Sequence, residues 1–296
     1  MCDETTEADN ALWLQKQGIG RRDLGKAGAG VAALALVPGC VSSATNAPAD
    51  GSLADHSVTI PTPDGTADAF FVYPAKGKHP AIILWPDIAG LRDAYKTMAR
   101  RLAQSGYAVL VVNQYYRSAP APILTSMAEW RTEAGQAKLA PMIAQLNPAV
   151  TTRDAAAFIT WLDQQTEVDK ARKIGSSGYC MGGPFTFRTA AANPARVGAI
   201  ASFHGGGLAT DAPDSPHRLF PTIKAAALIA IAQNDDEKDP EAKTKLRAAA
   251  DAAKRPAEIE VYPAQHGWCT IDSPVYDEAQ AEKAWERMLD TWKRYL

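Results

Sequence analysis

Residues 175–185 read GSSGYCMGGPF. The run KIGSSGYC (173–180) has the small and apolar character of a buried strand, and a helical pattern over 183–192 begins almost at once after it. A strand that turns directly into a helix opens a crossover unit, and the same alternation continues in both directions from this point. Upstream, AIILWP (81–86) and YAVLVVNQ (107–114) are continuous apolar runs, as expected of strands covered on both faces. Between them, 91–106 has helical spacing and stops at Gly106. A helical stretch at 130–146, interrupted by Pro141, and a stronger one at 148–165 lead back to the quoted turn. Downstream, GAIASF (198–203), AALIAIAQ (226–233) and AEIEVYP (257–263) read as further strands, with helices at 240–254 and 275–293. SVTI (57–60) and ADAFFVYP (67–74), joined by the turn signal TPDG, open the series. The pattern predicts an α/β fold: a mainly parallel, doubly wound sheet covered on both faces, with ligands at the carboxyl ends of its strands. With no internal repeat, low-complexity tract or mid-chain linker, 50–296 reads as one domain.

The 296-residue chain has 46% hydrophobic and 22% charged residues, which are globular values. A formal net charge of −2 leaves no electrostatic footprint for nucleic acid. Four cysteines are too few for a disulfide-built scaffold, no CxxC pair marks a structural zinc site, and no apolar run is long enough to span a membrane.

Residues 1–49 differ in kind from the rest. Arg21-Arg22, the weakly apolar segment 27–37 and Ala47-Pro48-Ala49 follow the order of an export signal, and RRDLGK resembles a twin-arginine signal. This predicts a periplasmic or otherwise exported protein delivered by twin-arginine machinery. A leader that is not a signal would leave the protein cytoplasmic. Cleavage near Asp50 competes with lipidation at Cys40 in VPGC.

Gly178-Tyr179-Cys180-Met181-Gly182 is a G-x-C-x-G at the end of a strand, the context in which an α/β hydrolase carries the G-x-S-x-G elbow of its nucleophile. A tight turn brings the residues two places either side of the nucleophile against each other, so glycine is needed there. The following helix N-terminus favours a thiolate and a developing oxyanion. An elbow predicts an acid and then a histidine, in that chain order. Asn234-Asp235-Asp236 follows the 226–233 strand, so the acid is Asp235 or Asp236; direct succession to the strand favours Asp235, leaving Asp236 to cap the next turn. His266 follows the last strand, and His204, in SFHGGG, is its one serious rival. Cys269 is either a packing residue or a partner for Cys180 in a disulfide. Trp85, Tyr115, Tyr116 and Trp268 are candidates for an aromatic pocket wall. A thiol redox protein or peroxide sensor built on Cys180 is the alternative to a hydrolase, and it would not need His266.

GYCMGG, the NDD after its strand, and HGW followed by SPVYDEAQAEKAW resemble the dienelactone hydrolase family, the carboxymethylenebutenolidase-like branch of the α/β hydrolases, over roughly 57–296. The resemblance implies an α/β-hydrolase fold without a large cap and a cofactor-free, metal-free enzyme acting on small esters or lactones. It implies a triad of Cys180, Asp235 and His266 working through an acyl thioester, with backbone N–H groups of Ile88 and Met181 forming the oxyanion hole. Asp87 stands where the family often has an acidic residue touching the resting thiol, and Arg117 where an arginine binds the dienelactone carboxylate. The place of a second such arginine is taken by Thr270, which points towards a promiscuous esterase or thioesterase that does not act on dienelactones.

Overall fold

The computed structural model describes residues 4–16 and 51–296. The Arg21-Arg22 pattern, the apolar segment behind it, Cys40 and the expected cleavage points lie outside the described residues. Among the described residues, eight strands form one sheet: β1 Leu53–Thr62, β2 Gly65–Pro74, β3 Ala81–Trp85, β4 Ala108–Val112, β5 Ile174–Tyr179, β6 Val197–Phe203, β7 Ala226–Ala232 and β8 Ala257–Tyr262. Their order is β1-β2-β4-β3-β5-β6-β7-β8. β1 and β2 run antiparallel at one edge, and every pairing from β3·β4 onward is parallel. This is the mainly parallel sheet anticipated from the alternation, in the α/β-hydrolase arrangement that the resemblance implied.

The helices are α1 Glu4–Lys16, α2 Asp93–Gln104, α3 Met127–Trp130, α4 Glu133–Ile143, α5 Pro148–Leu162, α6 Gly182–Ala192, α7 Gln233–Lys238, α8 Ala242–Ala252 and α9 Glu278–Tyr295. Strand alternation divides the core between the two faces of the sheet. Ile83, Trp85, Leu110 and Val112 point to one face with Phe158 and Leu162 of α5 and Phe187 of α6. Ile82, Leu84, Val109 and Val111 point to the other, with Tyr95, Met98 and Leu102 of α2 and Met288 and Trp292 of α9. α2 buries residues 94, 95, 98, 99, 102 and 103, the stripe that 3.6 residues per turn produces. α5 starts where Asn147 caps the Val150 N–H and Pro148 occupies the first turn.

Three local differences from the expected elements bear on the site. Gln233, anticipated as the last residue of a strand, opens α7, whose first turn carries Asp235 and Asp236 where carboxylates suit a helix N-terminus. Pro141 lies inside the last turn of α4 and does not interrupt it. Residues 4–16, grouped with the leader, form a helix that packs on the domain: Thr6, Asn10 and Leu14 are buried, and Lys238 of α7 reaches Asp9 at 2.7 Å.

Candidate active site

The strand-to-helix turn after β5 is as tight as its glycines suggested. Cys180 has φ +52°, a left-handed conformation that a cysteine adopts only under strong constraint. A Cβ on Gly178 would fall 2.1 Å from the Gly182 carbonyl oxygen, and one on Gly182 would fall 2.5 Å from the Trp85 carbonyl oxygen. The turn therefore has room for glycine at these two positions and nothing larger. The Cys180 N–H donates to the Phe203 carbonyl at 3.0 Å, tying the elbow to the end of β6.

Cys180 lines a narrow cavity of about 280 Å³ with Asn10, Asp87, Met127, His204 and His266 among its other walls. His266 comes from the loop after β8, and its Nδ1 lies 2.7 Å from Asp235 Oδ2. Asp236 turns away to Lys243 at 2.6 Å, so of the two aspartates it is Asp235 whose carboxylate meets the His266 ring. Asn234 completes a division of labour within the NDD triplet: its Oδ1 accepts the His266 backbone N–H at 2.8 Å. Burial opposes a charge on His266, but the Asp235 carboxylate and the Cys180 thiol outweigh it and raise the imidazole to about 10. His204 is equally buried and shifts the other way, because burial dominates there and the neighbouring His266 repels a second charge.

Asp87 and Ile88 lie on the loop after β3. Both Asp87 oxygens are held by the Arg92 guanidinium, at 2.7 and 2.9 Å, and Oδ1 also accepts the Ala89 N–H. Arg92 is fully buried and turns its remaining donors to both oxygens of Asp272, each at 2.7 Å. Burial works against its charge, but the two carboxylates restore it and hold the guanidinium well above its ordinary value. The Tyr115 hydroxyl donates to the Ile88 carbonyl at 2.7 Å and approaches the Met181 sulfur at 3.8 Å, joining the two segments whose N–H groups are the expected oxyanion donors. Met181 is the N-cap residue of α6.

The remaining expected residues lie away from this cavity. Arg117 forms ion pairs with Asp154 and Asp64, at 2.6 and 2.7 Å, and Tyr116 donates its hydroxyl to Asp154 at 2.9 Å. Neither is among the residues lining the cavity. Trp268 is fully buried, stacked on Tyr262 and edge-on to His204, so it backs the site from within the core. Trp85 packs in the core against Phe158 and Phe185. Cys180 and Cys269 are not joined in a disulfide. Cys269 opens onto a different cavity, of about 470 Å³, lined with Tyr179, Phe203 and Trp285, and burial pushes its thiol well up.

Sequence reasoning passed over Arg92, Asn234, Asp272 and Asn10. Asn10 of α1 lines the cavity and donates Nδ2 to the His266 carbonyl at 3.0 Å.

The dienelactone hydrolase family model matches residues 67–296. The chain belongs to the dienelactone hydrolase family. A carboxymethylenebutenolidase-like protein of Methylorubrum extorquens is 28% identical over 269 residues, covering 89% of this chain and 88% of that one. The carboxymethylenebutenolidase of Rhodococcus opacus is 26% identical over 228 residues, covering 74% and 83%. A dienelactone hydrolase-like structure from Klebsiella pneumoniae superposes with a TM-score of 0.71 at 24% identity, covering 82% of this chain and all of that one, a likeness of fold. Family membership makes this chain a carboxylic-ester hydrolase acting on ester or lactone bonds.

Proposed function

We propose that this hydrolase cleaves small uncharged esters or lactones through a Cys180–His266–Asp235 triad and an acyl-thioester intermediate. The observation that carries the reading is a strained cysteine at a strand-to-helix elbow, sharing its cavity with an imidazole whose other nitrogen lies 2.7 Å from a carboxylate. The Cys180 thiolate attacks the carbonyl carbon, and the oxyanion forms opposite the N–H groups of Met181 and Ile88. The C–O bond then breaks, His266 protonates the departing oxygen, and a thioester remains on Cys180. His266 next takes a proton from water, which attacks the thioester, and the acid leaves as the thiolate is restored. Asp235 fixes the imidazole tautomer throughout.

Preference for uncharged substrates follows from the cations. Among the described residues lining the cavity there is no lysine or arginine. Arg117 is committed to two aspartates, Arg92 is enclosed by two others, and Thr270 stands at the second expected arginine position. A substrate carboxylate would also meet Asp87. Turnover of aryl esters and lactones with and without a carboxylate tests both parts. Cys180→Ala is expected to abolish hydrolysis while folding persists, and intact-mass spectrometry of the wild type is expected to show an acyl adduct on Cys180. Hydrolysis that survives in Cys180→Ala, or a clear preference for the carboxylate-bearing substrates, would refute the corresponding half. A thiol redox role would tolerate His266→Ala, whereas hydrolysis would not.

We propose in addition that residues 1–49 carry an export signal, on the order of Arg21-Arg22, the apolar segment 27–37 and Ala47-Pro48-Ala49; retention of an Arg21→Lys/Arg22→Lys variant in the cytoplasm tests this.

A further inference from the structure

His204 has features that packing does not explain. It stands immediately after β6 at φ +41°, a region that non-glycine residues rarely occupy, and its N–H is fixed on the Ala230 carbonyl at 2.8 Å. Its side chain is 1% exposed, and neither ring nitrogen has a conventional hydrogen-bond partner. Buried polar atoms left in that condition mark a cost that the fold tolerates for a reason. The ring lies edge-on to Trp268 with centroids 5.2 Å apart, a contact that a phenylalanine would make equally well without bringing two nitrogens into the interior. It lines the cavity together with Cys180, and its ring centroid is 4.8 Å from that of His266. The ionisable groups that act on it there are Cys180, His266 and Asp235.

We propose that His204 is a second imidazole of the catalytic centre, which donates its ring N–H to the Cys180 sulfur and holds the thiolate ready for attack while His266 carries out the proton transfers. This rests on Cys180 being the nucleophile. The two rings are suited to different tasks by their surroundings. His266 has Asp235 behind it and takes a positive charge. His204 has the rings of Trp268 and Tyr179 beside it, with centroids 5.2 and 6.1 Å away, and stays neutral with one N–H to give. A neutral donor stabilises the thiolate without competing for its proton, and no bond to His204 forms or breaks in the cycle. The titratable groups facing the sulfur are then His266 with Asp235 behind it, His204 from the end of β6, and Asp87 with Arg92 behind it on the loop after β3.

The test is the thiolate titration of Cys180, followed by absorbance at 240 nm and by the pH dependence of iodoacetamide alkylation. Two variants separate the N–H from the packing: His204→Phe keeps the edge contact with Trp268 and removes the donor, and His204→Gln keeps a donor. Hydrogen bonds to charged groups predict that His204→Phe moves the titration up by about one to two pH units, with kcat/KM falling roughly ten- to hundredfold on the acid limb and KM little changed. His204→Gln is expected to recover most of the shift. A titration left in place by both variants would overturn the proposal, as would equal upward shifts in both, since a structural role alone would produce those. A wild-type signal that persists in Cys180→Ser would point to another thiol and overturn the nucleophile reading as well.

Discussion

Replacing Arg92 with methionine isolates the buried ion network that holds the loop after β3. The side chain is 0% exposed and bridges Asp87, 1% exposed, to Asp272, 25% exposed. Methionine retains much of the volume, so the main change is electrostatic. Removing one partner of a buried pair costs about 3–5 kcal/mol, because the other charge is left without compensation. Asp272 can regain water and Asp87 cannot, which places the expected loss near the lower end, about 3 kcal/mol. For a domain of this size that corresponds to a fall in Tm of about 6–12 °C. Activity should fall with it, since Arg92 also donates to the Gly90 carbonyl at 3.2 Å and so fixes the loop that carries Ile88.

The decisive measurement is the double variant. Asp87→Asn on its own removes one member and leaves Arg92 paired with Asp272. Asp87→Asn on top of Arg92→Met removes the orphaned charge and should return most of the lost stability in urea unfolding, a coupling of about 2 kcal/mol. A single-variant cost below about 1 kcal/mol, or a double variant at the plain sum of the two, would refute the argument that an uncompensated Asp87 charge sets the penalty.

Asp235→Asn should lower kcat by roughly 10³–10⁴ and Asp236→Asn by less than about twofold, read from initial rates on one aryl ester. His266 titrates at about 10 when folded against an ordinary 6.5, so its contribution to stability is complete below pH 6.5 and is lost as pH rises towards 10. Melting curves across that range should show the loss in wild type and a flatter profile in Asp235→Asn; identical profiles would show that the carboxylate does not hold the charge. Gly178→Ala puts a methyl group 2.1 Å from the Gly182 carbonyl oxygen, and a cost of about 1–3 kcal/mol with slowed Cys180 alkylation is expected. Leu14→Asp removes the buried anchor of α1, 3% exposed, and should increase alkylation of Cys180 and ester turnover by about tenfold or more. Unchanged rates would mean that α1 does not restrict entry.

What could be read from the chain, and what could not, divides by range. β3 and β4 are legible because each is a short apolar run with both faces buried, and β5 with its elbow is legible because Gly178 and Gly182 answer a steric demand made within five residues. The order Cys180, Asp235, His266 is legible because the fold places all three at the carboxyl ends of strands. Polar side chains whose partners come from afar are not. Arg92 and Asp272 are 180 residues apart, and nothing in either local sequence distinguishes that pair from Arg117 with Asp154 or Arg101 with Glu282. Arg117 drew attention because the family resemblance places a carboxylate-binding arginine there, yet three-dimensional distance gives it to two aspartates, and the buried guanidinium beside the site belongs to Arg92, a residue in an ordinary helical start. The NDD triplet shows the same limit within three positions. Its composition announces a polar strand end, but only the placement of the loop after β8 assigns Asn234 to the His266 backbone, Asp235 to its ring and Asp236 to Lys243. α1 lies further still beyond local reading. Its helix follows from residues 4–16, whereas its position against the site depends on the His266 carbonyl and on Lys238, more than two hundred residues later.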